Sequence, residues 1–315
     1  MRNALLSTAA ALALAGCSAL PSPVHPLTPQ QAAGLGAFTP VPLSTAAFTT
    51  SALVQVDGGG QSKTDVSRHA GATSAGYAGV SKFDPMSPPG VPATSGEPAG
   101  NTRFDFKKAG DSGQGWATMS DAGMPFLSLN AFGLGKASGT ASWRARVNTA
   151  PGADNVYVQF HLPVATITGF TEQNGPSRWQ SRVRADLFVG GHPFWSTEAA
   201  RQAELVDDPG SDSCANGVEK QQYLSAYGSP IGFKADKPGQ SSTAQTVTLW
   251  LGAFPVGQTV DLSFVVRADA QTFKPCCNKQ VDANTKELFC TRATATLDWE
   301  AGALPVKLWV GPALQ

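Results

Sequence analysis

The sequence predicts an all-β protein: an antiparallel β-sandwich of jelly-roll type behind a proline-rich tether. One supporting observation is composition, since 33 glycines and 23 prolines accompany only 15% charged residues. That mixture suits short strands joined by many turns. The other observation is an alternation of apolar and polar residues that recurs from about residue 101 and is broken by turn residues. Such spacing favours a sandwich over βαβ units.

Residues 1 to 16 are predicted to be a signal peptide. Arg2 supplies a positive start, and residues 4 to 15 form an apolar stretch broken only by Ser7 and Thr8. The stretch is too short to cross a bilayer, for which roughly 20 apolar residues are needed. It has the length of the hydrophobic region of a secretory signal.

The end of this stretch, Leu14-Ala15-Gly16-Cys17, resembles the lipobox of bacterial lipoproteins. In that family the cysteine receives a diacylglycerol and the chain is cut just before it. The resemblance implies an exported protein, lipid-anchored through Cys17 to the membrane of the cell envelope, at the outer membrane or cell surface. Ser18 stands where an aspartate commonly retains lipoproteins at an inner membrane. The alternative is an ordinary signal peptide whose Cys17 later joins a disulfide.

Residues 17 to 46 are expected to form the lipidated tether, because proline-rich segments are extended and semi-rigid. Only residues 30 to 35 resemble a helical turn, and a second proline-rich stretch, residues 84 to 100, is expected to be a surface loop. The single sandwich domain is then residues 47 to 315. The tether prolines are Pro21, Pro23, Pro26, Pro29, Pro40 and Pro42.

Several segments alternate apolar with polar residues, and each is predicted to be a half-buried antiparallel strand. Turn sequences such as Asn174-Gly175-Pro176 and Gly190-Gly191 separate them. Residues 196 to 205 are instead expected to be a helix, with a surface loop as the alternative. The predicted strands are residues 142–147, 155–162, 178–189, 246–251, 259–268 and 291–299.

Residues 246 to 272 and 290 to 300 resemble the C-terminal hairpins of exported bacterial β-sandwich proteins, and residues 139 to 163 resemble their central strands. Those proteins often carry a PEP-CTERM or another interchangeable surface anchor. The resemblance implies the sandwich but no established activity. In this sequence Cys17 is the expected anchor, since no sorting helix precedes Gln315.

Charge and motifs exclude several classes of function. Removing Arg2 from the 23 basic residues leaves 22 against 23 acidic residues, so the excess positive charge that drives nucleic-acid binding is missing. No nucleophile elbow, metalloprotease helix, Walker loop or dinucleotide fingerprint occurs, and no cofactor is expected. Residues 110 to 113, Gly-Asp-Ser-Gly, resemble a protease motif but lack its accompanying histidine signature. They are interpreted as a turn.

Four cysteines are left when Cys17 is set aside. In an exported protein, an even number of cysteines predicts disulfides. One bridge is expected between Cys214 and the Cys276/Cys277 pair, and the other between that pair and Cys290, since a bridge between neighbours would be strained. A zinc site formed by all four is the alternative.

Three acidic residues, Asp207, Asp208 and Asp212, cluster near Cys214. A solvated turn is the expected role of this loop. The alternatives are a weak calcium site and an acid pair of the kind that glycosidases use.

Arginines occupy the polar positions of two predicted strands, opposite Trp143 and Trp179. If both strands belong to one sheet, the guanidinium groups form a positive patch that binds carboxylated polysaccharide. The alternative is a solvated face whose arginine stems cover apolar surface. These arginines are Arg144, Arg146, Arg178, Arg182 and Arg184.

Trp250 also falls on a polar face, where an indole can stack on a sugar ring or lie under a loop. Together these features predict a non-catalytic envelope lipoprotein with a binding or structural role, its ligand an acidic glycan. The alternative is a polysaccharide-active enzyme, a lyase or a glycosidase, because sandwiches host such sites as well.

Overall fold

The structure is a computed structural model. It describes residues 26–38, 40–41, 48–58, 61–69, 73–78, 112–170, 177–206, 218–228, 232–234, 244–273, 291–298 and 305–314. The lipidation, disulfide and calcium predictions lie outside these ranges and stay predictions. Their residues are Cys17, Cys214, Cys276, Cys277, Cys290, Asp207, Asp208 and Asp212.

Within the described ranges the chain forms a helix, α1, a 3₁₀ turn and fifteen strands. Helix α1 is Pro29–Gly34, and the 3₁₀ turn is Leu35–Ala37. Strands β1 to β15, in chain order, are Phe48–Gly58, Gln61–His69, Thr73–Ala78, Ser112–Met119, Pro125–Phe132, Lys136–Asn148, Asn155–Leu162, Val164–Phe170, Ser177–Val189, His192–Val206, Val218–Gly228, Gln245–Ala253, Thr259–Thr272, Arg292–Asp298 and Lys307–Gly311.

The described strands pair antiparallel in three sheets. The seven-stranded sheet has the order β11-β10-β9-β13-β6-β1-β2, the five-stranded sheet β3-β4-β5-β14-β8, and the three-stranded sheet β12-β7-β15. The five-stranded sheet packs on the seven-stranded one, with β4 and β5 against β1, β6 and β13. The three-stranded sheet packs beside it, where the Phe160 ring lies 4.6 Å from that of Phe264. The predicted antiparallel β-sandwich is confirmed.

The apolar side chains that alternate along the strands face inward and form the core between these layers. On β6, Trp143, Ala145 and Val147 are buried while Arg144 and Arg146 are exposed, as predicted. The Trp143 ring centroid lies 5.9 Å from that of Phe48 and 5.7 Å from that of Phe264. Large aromatic side chains of this kind dominate the energetics of a core.

Close packing between the layers also requires a glycine at position 169 of β8. A Cβ atom there would lie 2.1 Å from the indole of Trp179 on β9. No side chain fits in that space, because protein interiors are packed nearly as densely as crystals. Gly169 therefore lets β8 approach β9 closely.

The helix predicted at residues 196 to 205 is wrong, because this segment lies inside strand β10. It pairs with β9 on one side and with β11 on the other. Ala199, Arg201 and Ala203 are buried, while Gln202 is half-buried and Glu204 is exposed, so this part of the segment alternates as a strand does. Pairing on both edges outweighs the helix propensity of the alanines and glutamates, which is a weak preference.

The segment formed by residues 26–38 and 40–41, here called the strap, packs on the outer face of the three-stranded sheet. The Leu27 amide donates to the Thr248 carbonyl oxygen of β12 at 2.8 Å, and the Val41 amide donates to that of Leu308 on β15 at 2.8 Å. Leu35 is buried between them against Tyr157. The strap lies within the segment expected to be an extended tether, so the folded body begins before residue 47.

Helix α1 within the strap begins with a capping box. The Gln31 amide donates to the Thr28 hydroxyl, and the Gln31 side-chain oxygen accepts from the Thr28 amide. Pro29 occupies the first helical position, where a missing N–H costs nothing. These local signals explain how a proline-rich sequence forms a helix here.

Candidate ligand-binding face

The five predicted arginines all lie on the outer face of the seven-stranded sheet. Arg144 and Arg146 belong to β6, and Arg178, Arg182 and Arg184 belong to β9. The two strands share one sheet, as the predicted patch required, but β13 lies between them. The side chains of β13 therefore decide whether the two arginine groups act together.

Acidic side chains neutralise two of the arginines on β9. Arg184 donates from Nε and Nη2 to the Asp186 carboxylate at 2.8 to 2.9 Å. Arg182 binds the Glu198 carboxylate of β10, and Arg184 Nη1 lies 3.6 Å from the same group. Arg267 of β13 adds a cation 3.9 Å from Asp186. This part of the face is a network of ion pairs, so the arginines do not form a continuous positive patch.

The third arginine on β9, Arg178, has polar and aromatic neighbours. Its Nη2 donates to the Gln202 side-chain oxygen at 3.2 Å. Its guanidinium lies 5.0 Å from the ring centroid of Phe273. This arrangement matches the alternative in which an arginine covers apolar surface.

Arg144 and Arg146 line an open depression of about 800 Å³ on the same face. Strand register places Thr49 of β1, Arg144, Ser263 of β13 and Phe188 of β9 in one row across four strands. The row combines a cation, two hydroxyls and an aromatic ring. Other residues lining the depression are Ala145, Arg146, Gly190, Gly191, Asp261, Leu262 and Val265.

The two arginines of the depression differ in their partners. Arg146 Nε donates to Asp261 Oδ1 at 2.9 Å, with 71% of the arginine side chain and 63% of the aspartate side chain exposed. Such an exposed pair contributes little stability and opens readily. Within the described part of the chain, the Arg144 side chain makes no ion pair or hydrogen bond. Of the two arginines that line the depression, Arg144 is therefore the more available to an anionic ligand.

Trp250 lies on another layer of the protein. It belongs to β12 of the three-stranded sheet, on the face opposite the buried Leu249 and Leu251. The side chain is 49% exposed, and its Nε1 donates to Asn155 Oδ1 at 3.0 Å. Trp250 and the arginines therefore do not form one binding site.

Asp269 of β13 also lies on the outer face of the seven-stranded sheet, and the pKa of its carboxyl is perturbed. Burial raises the pKa of this carboxyl, and Glu198 adds to the rise, while Arg182, Lys136 and Arg267 oppose it. A carboxyl of this kind is a candidate general acid. Asp269 does not line the depression, which reaches only to Val265 along β13.

Replacing Asp269 with asparagine is expected to change how stability depends on pH. Because the pKa of Asp269 is raised in the folded state, the wild type loses stability from this group as the pH rises through the unfolded pKa of about 4 to the raised value. The variant lacks that loss, so its stability relative to the wild type is greater at pH 7 than at pH 3. Urea unfolding at the two pH values measures the difference. If the free energies of unfolding of variant and wild type differed by the same amount at both pH values, the raised pKa of Asp269 would be contradicted.

Four residues belong to this face that the sequence did not indicate as its members: Asp186, Glu198, Asp261 and Ser263. The alternation along residues 259 to 268 could have placed Asp261 and Ser263 outward beside the arginines. Glu198 was missed because its segment was expected to be helical. The neighbours of each strand depend on the strand order, for which the sequence carried no local signal.

The described ranges contain no group of three histidine, cysteine, aspartate or glutamate side chains that could hold a metal ion. In the same part of the chain, no helix is long and apolar enough to cross a membrane.

No family model and no curated protein matches this chain. Among solved structures, that of infectious bursal disease virus, Gt strain, aligns with 85% of this chain and 67% of that chain, at 9% identity and a TM-score of 0.12. A similarity this low carries no argument about fold or function.

Proposed function

We propose that this protein is an exported lipoprotein, anchored at Cys17, that binds an acidic glycan without catalysis. The observation that carries the binding proposal is Arg144, which lines a depression of about 800 Å³ and whose side chain makes no ion pair or hydrogen bond among the described residues. The anchor rests on the lipobox-like sequence that ends at Cys17. A glycan array tests the binding, and labelling with a palmitate analogue tests the anchor.

The side chains of the depression suit a sugar acid. The planar guanidinium of Arg144 can donate two parallel hydrogen bonds to one carboxylate, which is the strongest geometry available to such a pair. Phe188 offers a ring against which the C–H face of a sugar can pack. Ser263 and Thr49 offer hydroxyls beside it. A uronate, which has one carboxylate and one apolar face, combines these requirements.

The other arginines support this choice of site by contrast. Arg182 and Arg184 already bind Glu198 and Asp186. A ligand that recruited them would have to break these pairs. Arg144 makes no ion pair among the described residues, so a ligand that binds it has no such pair to break there.

A polysaccharide-active enzyme is the second candidate, favoured by the raised pKa of Asp269 beside Glu198. Glycosidases use two carboxyl groups, one of which stays protonated at working pH. The position of Asp269 outside the lining of the depression weighs against this function.

A glycan array separates these functions. The mature chain carrying Cys17→Ser is applied at low and at physiological salt, and bound glycans are also checked for shortening. We expect binding to uronate-containing glycans that weakens with salt, with no shortening. Binding to no acidic glycan would reject the binding proposal, and shortened products would favour the enzyme.

Replacing Arg144 with alanine is expected to weaken uronate binding by roughly tenfold or more, since a charge-assisted hydrogen bond contributes about 1.5 to 3 kcal/mol. Arg178→Ala is the matched control, because Arg178 is also an exposed arginine on this face but does not line the depression. Titration calorimetry with a uronate oligosaccharide measures both. Equal losses in the two variants would indicate a general charge effect instead of a site.

A further inference from the structure

The strap differs in charge from the opposite side of the molecule. Residues 26 to 41 contain no aspartate, glutamate, lysine or arginine. The outer face of the seven-stranded sheet carries the ion-pair network of Arg182, Arg184, Asp186 and Glu198. The sandwich core separates these two faces. The strap itself is uncharged, and exposed Lys307 on β15 lies on the same outer face as Tyr157 and Trp309, while the opposite face is rich in ion pairs.

The strap is fixed to the sheet that it covers. It is hydrogen-bonded to β12 through Leu27 and to β15 through Val41. Between these ends, Leu35 is 1% exposed against Tyr157. The direction in which the chain enters the folded body is therefore set by the three-stranded sheet.

Trp250 shares the outer face of this sheet with the strap. In the strand register it lies beside Tyr157, the residue on which Leu35 packs. Its indole is 49% exposed while its N–H is held by Asn155. A tryptophan with a fixed ring and a satisfied N–H suits the boundary between lipid headgroups and water.

The distance to the anchor is short. Nine Cα steps, from position 17 to position 26, separate Cys17 from the first residue of the strap. A chain of that length reaches at most about 30 Å when fully extended. An acyl group on Cys17 therefore keeps the strap close to the bilayer.

We infer that the strap and Trp250 form the membrane-facing side of this protein, so that the depression with Arg144 points away from the bilayer. The partner is the lipid surface itself, which the uncharged strap can approach without loss of ion hydration, while the ammonium group of Lys307 on the same face can meet lipid phosphates. This inference rests on the proposed anchorage at Cys17. It assigns to Trp250 a contact with lipid headgroups instead of a sugar.

Leu134 provides a matched control position. It is 49% exposed, as Trp250 is, but lies just before Lys136, where β6 begins. The three-stranded sheet instead approaches β6 near Trp143, through Phe264 and Phe160. Seven Cα steps along the strand separate Lys136 from Trp143, which corresponds to about 23 Å. A tryptophan at position 134 is expected to stay away from the membrane.

Quenching of tryptophan fluorescence by brominated lipid tests the inference. The full chain, purified from membranes after labelling with a palmitate analogue, is reconstituted into phosphatidylcholine vesicles with and without brominated acyl chains. We expect at least twofold greater quenching in the wild type than in Trp250→Phe. Adding Leu134→Trp to that variant should not restore the quenching.

Equal quenching of the wild type and Trp250→Phe, in protein that carries the label, would overturn the assigned face and leave the anchor intact. Restoration by Leu134→Trp would do the same. Absence of label would overturn the anchor and with it this inference, while the glycan array still decides the binding proposal.

Discussion

Replacing Trp143 with alanine is expected to lower the free energy of unfolding by about 3 kcal/mol, near the lower end of the range for buried aromatic residues. Trp143 is fully buried and contacts Phe48 and Phe264, so its removal leaves a cavity between the sheets. We expect a value near the lower end of that range because the indole N–H of Trp143 has no hydrogen-bond partner among the described residues. Removing that unsatisfied donor offsets part of the loss.

Chemical denaturation with urea measures this change, and Trp250→Ala is the control. Trp250 is 49% exposed, so its replacement is expected to cost about 1 kcal/mol or less, chiefly through the hydrogen bond to Asn155. Similar losses in both variants would mean that Trp143 does not lie in the core.

Replacing Asp186 with alanine is expected to lower the free energy of unfolding by about 1.5 to 3 kcal/mol, the range for hydrogen bonds to charged groups. The Asp186 side chain is 1% exposed and accepts from Nε and Nη2 of Arg184. Its removal leaves that guanidinium with Glu198 at 3.6 Å. The Arg184 side chain is 32% exposed, so water recovers part of its solvation and limits the loss.

Asp261→Ala is the matched control for this prediction, because it breaks the exposed pair with Arg146. Exposed pairs contribute about 0 to 1 kcal/mol, so urea unfolding should show little change. A loss from Asp261→Ala as large as that from Asp186→Ala would contradict the distinction between the buried network and the exposed pair.

Which strand residues face inward was predictable from the sequence. Alternation placed Trp143 and Val147 inward and Arg144 and Arg146 outward, and the structure agrees. The period of two predicts the face because successive side chains of a strand point to opposite sides. This rule needs no knowledge of the neighbouring strands.

The order of the strands was not predictable in the same way. The insertion of β13 between β6 and β9 brings Ser263 beside both Arg144 and Phe188. Those contacts join residues more than 70 positions apart along the chain. No local pattern contains that information, so the depression could not be assembled from the sequence.

Two segments show where local patterns mislead. Residues 196 to 205 have a helical composition but lie in β10, because β9 and β11 both pair with them. The strap has the composition of a tether but packs on the three-stranded sheet, because Leu35 is buried against Tyr157 and Trp309. In both cases tertiary contacts outweigh local preference.

The most direct measurement of the proposed function is a crystal structure of the mature chain carrying Cys17→Ser with a uronate oligosaccharide. We expect the ligand in the depression, with a carboxylate about 2.7 to 2.9 Å from the Arg144 guanidinium nitrogens and a sugar ring against Phe188. An oligosaccharide bound elsewhere, for example on Trp250, with Arg144 making no contact to it, would contradict the account.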